Sequence, residues 1–314
     1  MKPYSIGVDI GGTTVKLGLF LNGSEILEKW EIPTDKSEGG KNIIPDIAAS
    51  VRKVLEEKNI PMDQVKGAGM GVPGPVDANG FVEVCVNLGW KEIRPAEVFK
   101  SIPGFEDWTV AVGNDANVAA LGEQKMGGAK GFSSAVMITL GTGVGGGIVI
   151  DGKMVAGSHG MGGELGHLTV NPAETARCNC GNHGCLEQYA SATGVVRVAH
   201  GLLEKDARSS KLRDMGEFSA KDVFDLAKAG DEVALEAVDI LGTYLGLALS
   251  YVTLTVDPEI FIIGGGVSKA GSILTDAIEK HYHRFVTLSE HHALVRTASL
   301  GNDAGICGAA GMVE

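Results

Sequence analysis

Apolar residues along the chain follow two rhythms. Short strand-like runs stand at Lys66–Val72, Thr109–Val112 and Glu259–Ile263. Between them, Ile43, Ile44, Ile47, Val51, Val54 and Leu55 recur at helical spacing and predict a helix over Ile43–Lys58. Helical patterns also cover Ala116–Met126, Ala220–Ala229, Glu232–Leu254 and Ser272–Phe285. Two stretches echo one another. Ser5–Phe20, SIGVDIGGTTVKLGLF, and Ala135–Ile150, AVMITLGTGVGGGIVI, each set a Gly/Thr turn between two apolar runs, the pattern of a β-hairpin. Strands alternating with helices predict the α/β class. Two hairpin-led halves predict a duplicated fold with two domains and a ligand cleft between them. The sequence reading places a small N-terminal domain over residues 1–115, joined by a C-terminal helix at about 302–314, and a larger domain over residues 116–301.

Composition narrows the function classes. The 314 residues carry 44% hydrophobic and 21% charged side chains, a globular balance. A formal net charge of −12, with no dense Lys/Arg run, argues against nucleic acid as a partner. Ile240–Val256 is uncharged but shorter than the roughly 20 apolar residues of a membrane span, and it contains Gly, Thr, Ser and Tyr; a buried helix is expected, and no membrane partner. The apolar N-terminal stretch is too short for a signal peptide and is interrupted by Asp9, so a cytoplasmic location is expected. The 46 glycines are about twice the usual share of roughly 7% and concentrate behind apolar runs, where loops bring backbone close to a ligand.

Three of those clusters suit a nucleotide. In Asp9-Ile-Gly-Gly-Thr13-Thr14, Gly11 and Gly12 permit positive φ and remove Cβ atoms, so N–H groups can face a phosphate. Thr13 and Thr14 add hydroxyls, Lys16 adds charge and Asp9 suits a hydrated Mg²⁺. Gly141, Thr142 and Gly143 occupy the equivalent turn of the second hairpin, and a pair of such turns reads as two clamps on one polyphosphate. Gly264, Gly265 and Gly266 follow the run EIFII and suit a ribose or base. The Walker pattern G-x-x-x-x-G-K-[ST] is absent, so this is no P-loop.

Three of the five cysteines crowd into CNCGNHGC at 178–185. Three thiols cannot pair evenly. Cys178, Cys180 and Cys185 with one His make a Cys₃His zinc set, and Gly181 and Gly184 permit the tight loop. His183 inside the loop and His167 upstream are both candidates for the fourth ligand. Cys85 and Cys307 read as packing residues.

The Asp9–Thr14 and Leu140–Gly147 loops and the Gly264 cluster resemble the sugar-kinase/actin-like ATPase superfamily, whose duplicated ribonuclease H-like fold the chain is expected to share. GELGH at 163–167 and CNCGNHGCLE at 178–187 narrow the resemblance to the ROK family of sugar kinases and repressors. The resemblance implies ATP-dependent transfer of phosphate to the C6 hydroxyl of a hexose, with Mg²⁺, a structural zinc and a homodimer or tetramer. It assigns Asp115 in Gly113-Asn114-Asp115 as the base, where an N-cap is the alternative use of that Asp. It assigns Asn114, Glu164, His167 and Glu187 to the sugar, and His167 to the zinc as well. Gly74 and Asn87 resemble further sugar-side loops. CLEQYASATG at 185–194 is closest to the glucose-specific members, ahead of kinases for N-acetylglucosamine, N-acetylmannosamine or mannose. Repressors of the family carry a winged helix before the first hairpin, and here the hairpin begins at Ser5. The zinc loop and the phosphate loops are expected to act as separate devices.

Overall fold

The computed structural model describes residues 2–205 and 207–313. The first hairpin is β1 (Tyr4–Ile10) and β2 (Thr14–Leu21), followed by β3 (Glu25–Pro33) and α1 (Ile43–Glu57). Then come β4 (Val65–Val72), β5 (Val82–Cys85), β6 (Trp90–Ile93), α2 (Pro95–Lys100), β7 (Thr109–Asn114) and α3 (Asp115–Met126). The second hairpin is β8 (Ala135–Leu140) and β9 (Val144–Ile150), continued by β10 (Lys153–Met154). A helical stretch follows: α4 (Glu187–Ala190), α5 (Ala192–Lys205), α6 (Leu212–Met215), α7 (Ala220–Lys228) and α8 (Glu232–Val256). The chain ends with β11 (Ile260–Gly264), α9 (Ser272–Phe285), β12 (Leu294–Thr297) and α10 (Ala304–Gly311).

Two compact units result. Unit 1 holds residues 1–133, 147–163 and 299–314, and unit 2 holds residues 134–146 and 164–298. This division differs from the expected 115/116 boundary, and the reason is helix packing. A Cβ on Gly122 of α3 would strike the Ala304 backbone of α10, and one on Gly308 of α10 would strike the Val118 backbone of α3. The two helices touch through glycine, so α3 stays with the N-terminal sheet.

In unit 1 the sheet runs β3-β2-β1-β4-β7, antiparallel through β3, β2 and β1 and parallel through β1, β4 and β7. One face receives α1, whose Ile43, Ile44, Ile47, Val51 and Leu55 are buried, while Val54 is only half-buried. The other receives α10: Cβ atoms on Gly7 of β1 and Gly69 of β4 would collide with the backbones of Ile306 and Ala309. Much of the glycine excess therefore serves close packing inside strands and helices, and only part serves loops. Buried Glu123 accepts from the N–H groups of Gly128, Ser299 and Leu300, which fastens the returning chain. A buried carboxylate is costly unless hydrogen-bonded, and this one is.

In unit 2, β11 lies between β8 and β12, parallel to both. Its five residues are all buried, which explains why Ile260–Ile263 reads as a continuous apolar run. α8 begins at Asp231, whose side chain caps the first turn. By length and composition α8 could span a membrane, yet Val233, Leu241, Leu245 and Leu249 are buried within unit 2. α7 carries a capping box between Ser219 and Asp222.

Candidate functional site

Unit 1 contributes the first glycine turn. Gly11 N–H donates to Thr14 O (3.0 Å), and Thr34 fastens the turn from outside through its hydroxyl to Gly11 O (2.7 Å) and its N–H to Thr13 O (3.0 Å). Neither Gly11 nor Gly12 adopts positive φ, against the expectation. Gly11 is required for space, since a Cβ there would lie 2.8 Å from Thr14 O. Gly12 faces Asn87, its Cβ position 3.5 Å from Asn87 O, so the turn and this expected sugar-side residue are neighbours. Asp9 stands directly across the hairpin from Lys16. Burial pushes its carboxyl above the ordinary carboxylate value, and the Lys16 charge offsets part of that rise.

At the end of β7, Asn114 is the N-cap of α3, with extended backbone (φ −62°, ψ 140°). Its Oδ1 accepts from Ala116 N (3.0 Å) and Asn117 N (3.1 Å), and its Nδ2 donates to Gly74 O (3.0 Å). Asp115 is thus not the cap. It is the first helical residue, half-buried, with Oδ1 accepting from Ala116 N (2.8 Å). Asn114 has committed most of its hydrogen-bonding capacity to the fold, which leaves less of it for a sugar than expected. Gly74 takes φ 130°, which only glycine adopts without strain, and the neighbouring Pro73 carbonyl accepts from Cys85 Sγ (2.7 Å). Cys85 is packed in the core of unit 1, as expected, and makes this one thiol hydrogen bond besides. No sequence signal pointed to it, because its partner lies across a loop.

Unit 2 brings together the other candidates. Gly141, Thr142 and Gly143 form the turn between β8 and β9, closed by Gly141 N–H to Gly143 O (2.9 Å). Gly265 has φ 82°, and a Cβ there would strike Leu140, so the third glycine cluster lies against the second hairpin. A cavity of about 530 Å³ opens beside Gly141, Thr142 and Gly266, lined also by Phe224, Val267 and Lys228.

Glu164 and His167 share a single turn, with His167 N–H donating to Glu164 O (3.2 Å). His167, Cys178, Cys180 and Cys185 gather with all four donor atoms within 4.8 Å of one another. Cys180 Sγ lies 3.6 Å from Cys185 Sγ, and Cys178 Sγ lies 3.9 Å from His167 Nδ1. Tetrahedral zinc with Zn–S bonds near 2.3 Å separates sulfurs by about 3.8 Å, so the donor set fits. Burial pushes the Cys185 thiol up to about 12, a cost that a cation would remove. His183 is outside the cluster, with Nδ1 buried and without a partner.

Glu187 begins α4 two residues after Cys185. Its Oε1 lies 3.8 Å from Cys178 Sγ, and its Oε2 accepts from Val144 N (3.0 Å) next to the glycine turn. Farther along, Ala192 N–H donates to Gly141 O (2.8 Å) and Thr193 Oγ1 to Thr142 O (2.9 Å). No pattern along the chain signals these ties, which join residues 43 to 51 positions apart.

Two glycine-tipped hairpins heading two α/β units, with a carboxylate at a helix start and a Cys₃His loop, define the sugar-kinase/actin-like ATPase fold. Within that fold the chain belongs to the ROK family, whose profile it matches over residues 5–314. It is similar to the glucokinase of Halalkalibacterium halodurans (42% identity, 99% of this chain and 95% of the relative). Among solved structures it resembles the ROK hexokinase of Thermus thermophilus (TM-score 0.80, 32% identity, 98% and 96% covered). It also resembles a ROK family glucokinase of Streptomyces griseus in complex with glucose and AMPPNP (TM-score 0.73, 33% identity, 98% of each chain).

Proposed function

We propose that the protein is a glucokinase that transfers the γ-phosphoryl group of ATP to the C6 hydroxyl of glucose. The observation that carries this reading is the His167, Cys178, Cys180 and Cys185 cluster in unit 2, which Glu187 ties to a glycine turn bordering a cavity of about 530 Å³. The S. griseus relative, captured with glucose and an ATP analogue, and the H. halodurans glucokinase support it.

In this mechanism Glu164, His167 and Glu187 hold sugar hydroxyls, helped by the loops at Gly74 and Asn87. The phosphates contact Gly11–Thr14 and Gly141–Gly143, with Lys16 adding charge, while the adenosine occupies the cavity by Gly264–Gly266. Asp9 would hold Mg²⁺, which would supply charge neutralisation for the phosphates. Asp115 accepts the C6 hydroxyl proton as the O6–Pγ bond forms, the bond from Pγ to the bridging oxygen breaks, and ADP leaves. His167 and the thiolates of Cys178, Cys180 and Cys185 would hold a structural zinc, which would leave the other His167 ring nitrogen for the sugar. Thiol donors suit a reducing compartment, so we place the protein in the cytoplasm. We also infer a homodimer, which light scattering would test.

A coupled assay with ATP across a hexose panel tests the function. Glucose is expected to give the highest kcat/KM. A higher value for N-acetylglucosamine, N-acetylmannosamine or mannose would reassign the substrate, and turnover of none would overturn the reading.

A further inference from the structure

We propose that the segment Glu187–Gly194 is a brace that couples sugar binding to the phosphate loop, with Glu187 and Thr193 as its two struts. The inference rests on the kinase reading above and adds to it a positioning role for Thr193 and a second role for Glu187.

The stretch CLEQYASATG stood out in the sequence as a mark of hexose preference. Its hydrogen bonds point elsewhere. Gly141 O and Thr142 O of the second glycine turn and Val144 N just after it are each taken by a residue of this segment: Ala192, Thr193 and Glu187 in turn. The segment is itself stiffened: Ser191 Oγ donates to Glu187 O (2.6 Å), accepts from Gly194 N (2.9 Å) and lies 3.0 Å from Thr193 Oγ1. A sugar hydroxyl donating to Glu187 therefore fixes a carboxylate that also orients the turn. Order imposed at one end is order the nucleotide no longer has to impose at the other, which makes the two bindings mutually favourable.

Gly143 supplies the sharpest consequence. Its backbone has no positive φ, so it accepts a Cβ without strain. The one obstacle is Glu187, whose carboxylate occupies the space that Cβ would take. That carboxylate is the free end of a flexible side chain, so Gly143→Ala displaces Glu187 without demanding backbone movement. Glycine at 143 is thus required by the sugar-side carboxylate, whether or not a phosphate also passes close.

The test is calorimetric titration of glucose into the zinc-replete protein, alone and with Mg²⁺ and a non-hydrolysable ATP analogue, alongside steady-state turnover. Wild type is expected to bind glucose at least fivefold tighter with the analogue present, at the lower end of the 5–150-fold range usual for coupled sites. Gly143→Ala, shown folded by circular dichroism, is expected to weaken glucose binding at least fivefold with no nucleotide present. Thr193→Val removes one strut and leaves Glu187 in place. It is expected to keep the nucleotide-free glucose Kd within twofold, raise the ATP KM and bring the coupling towards one. Thr193→Ser, which retains the hydroxyl, is expected to restore coupling. Unchanged nucleotide-free glucose binding in Gly143→Ala, or undiminished coupling in Thr193→Val, would overturn the brace while the kinase reading stood. A wild type that binds glucose and the analogue but transfers no phosphate would overturn the kinase reading instead.

Discussion

Asn114 and Asp115 divide two tasks that adjacent polar residues at a helix start often compete for. Asn114 keeps extended backbone and satisfies two N–H groups of α3, while Nδ2 reaches back to Gly74. Which of the two residues caps depends on where the backbone turns helical, a matter of φ and ψ that composition does not encode. With the cap assigned to its neighbour, Asp115 stands in the first turn of the helix, its Oδ1 accepting from Ala116 N. Asp115→Asn keeps the shape and removes the proton acceptor. The expected result is a fall in kcat of about 10²–10⁴-fold, the usual contribution of a general base, with glucose binding retained by calorimetry. Near wild-type turnover at saturating substrates would remove Asp115 from that role.

The loop of residues 178–185 works as an element because its donors come from two places in the chain. Three thiols sit on the tight turn, while His167 arrives on the short turn it shares with Glu164. One tetrahedral ion would tie both to the start of α4, where Glu187 stands. The Cys₃ set was legible in the sequence because its spacing is local. The choice between His167 and His183 was not, since it depends on where the chain folds back after residue 170. His183 pairs with Arg177 in an isolated antiparallel bridge and is not among the clustered donors. Metal analysis of protein from zinc-replete medium is expected to find about one zinc per chain. His183→Ala should keep it, whereas His167→Ala and Cys180→Ala should lower zinc content and raise the glucose KM together. Full zinc in His167→Ala would assign the fourth position to another residue.

At the scale of the whole molecule, the duplicated α/β architecture and most of the periodic elements were readable, whereas the 14-residue α5 and the close packing between elements were not. α9 runs Ser272–Phe285 as its apolar spacing predicts, and α1, β4 and α7 fall within a residue of expectation at each end. β3, β5, β6 and α2 escaped because they are short or lie at a sheet edge, where one polar face or a single turn leaves no pattern. A C-terminal helix at about 302–314 was expected to join the N-terminal domain, but how closely α10 packs there is recorded only in glycines scattered over distant elements, Gly7, Gly69, Gly122 and Gly308, whose meaning appears once their partners are known. Asp9 shows what that assembly costs. It stands at the end of β1 beneath α10, where a Cβ on Gly305 would meet its carboxylate. Burial raises its pKa more than Lys16 lowers it. Because the folded value lies above the unfolded one, its contribution to stability is complete below the unfolded pKa and is lost as pH rises through the folded pKa. At neutral pH the ionised group is therefore a liability to the fold, which the phosphate-binding role proposed above would account for. Asp9→Asn should melt at a higher temperature than wild type at pH 7 without added nucleotide or Mg²⁺. The gap should close below about pH 4, where the wild-type carboxyl is itself protonated. The same variant should lose activity through a raised ATP KM, separating what this residue does for function from what it does for folding. Thermal melts at constant ionic strength across that range decide the matter: a variant less stable than wild type at pH 7 would mean that ionised Asp9 supports the fold.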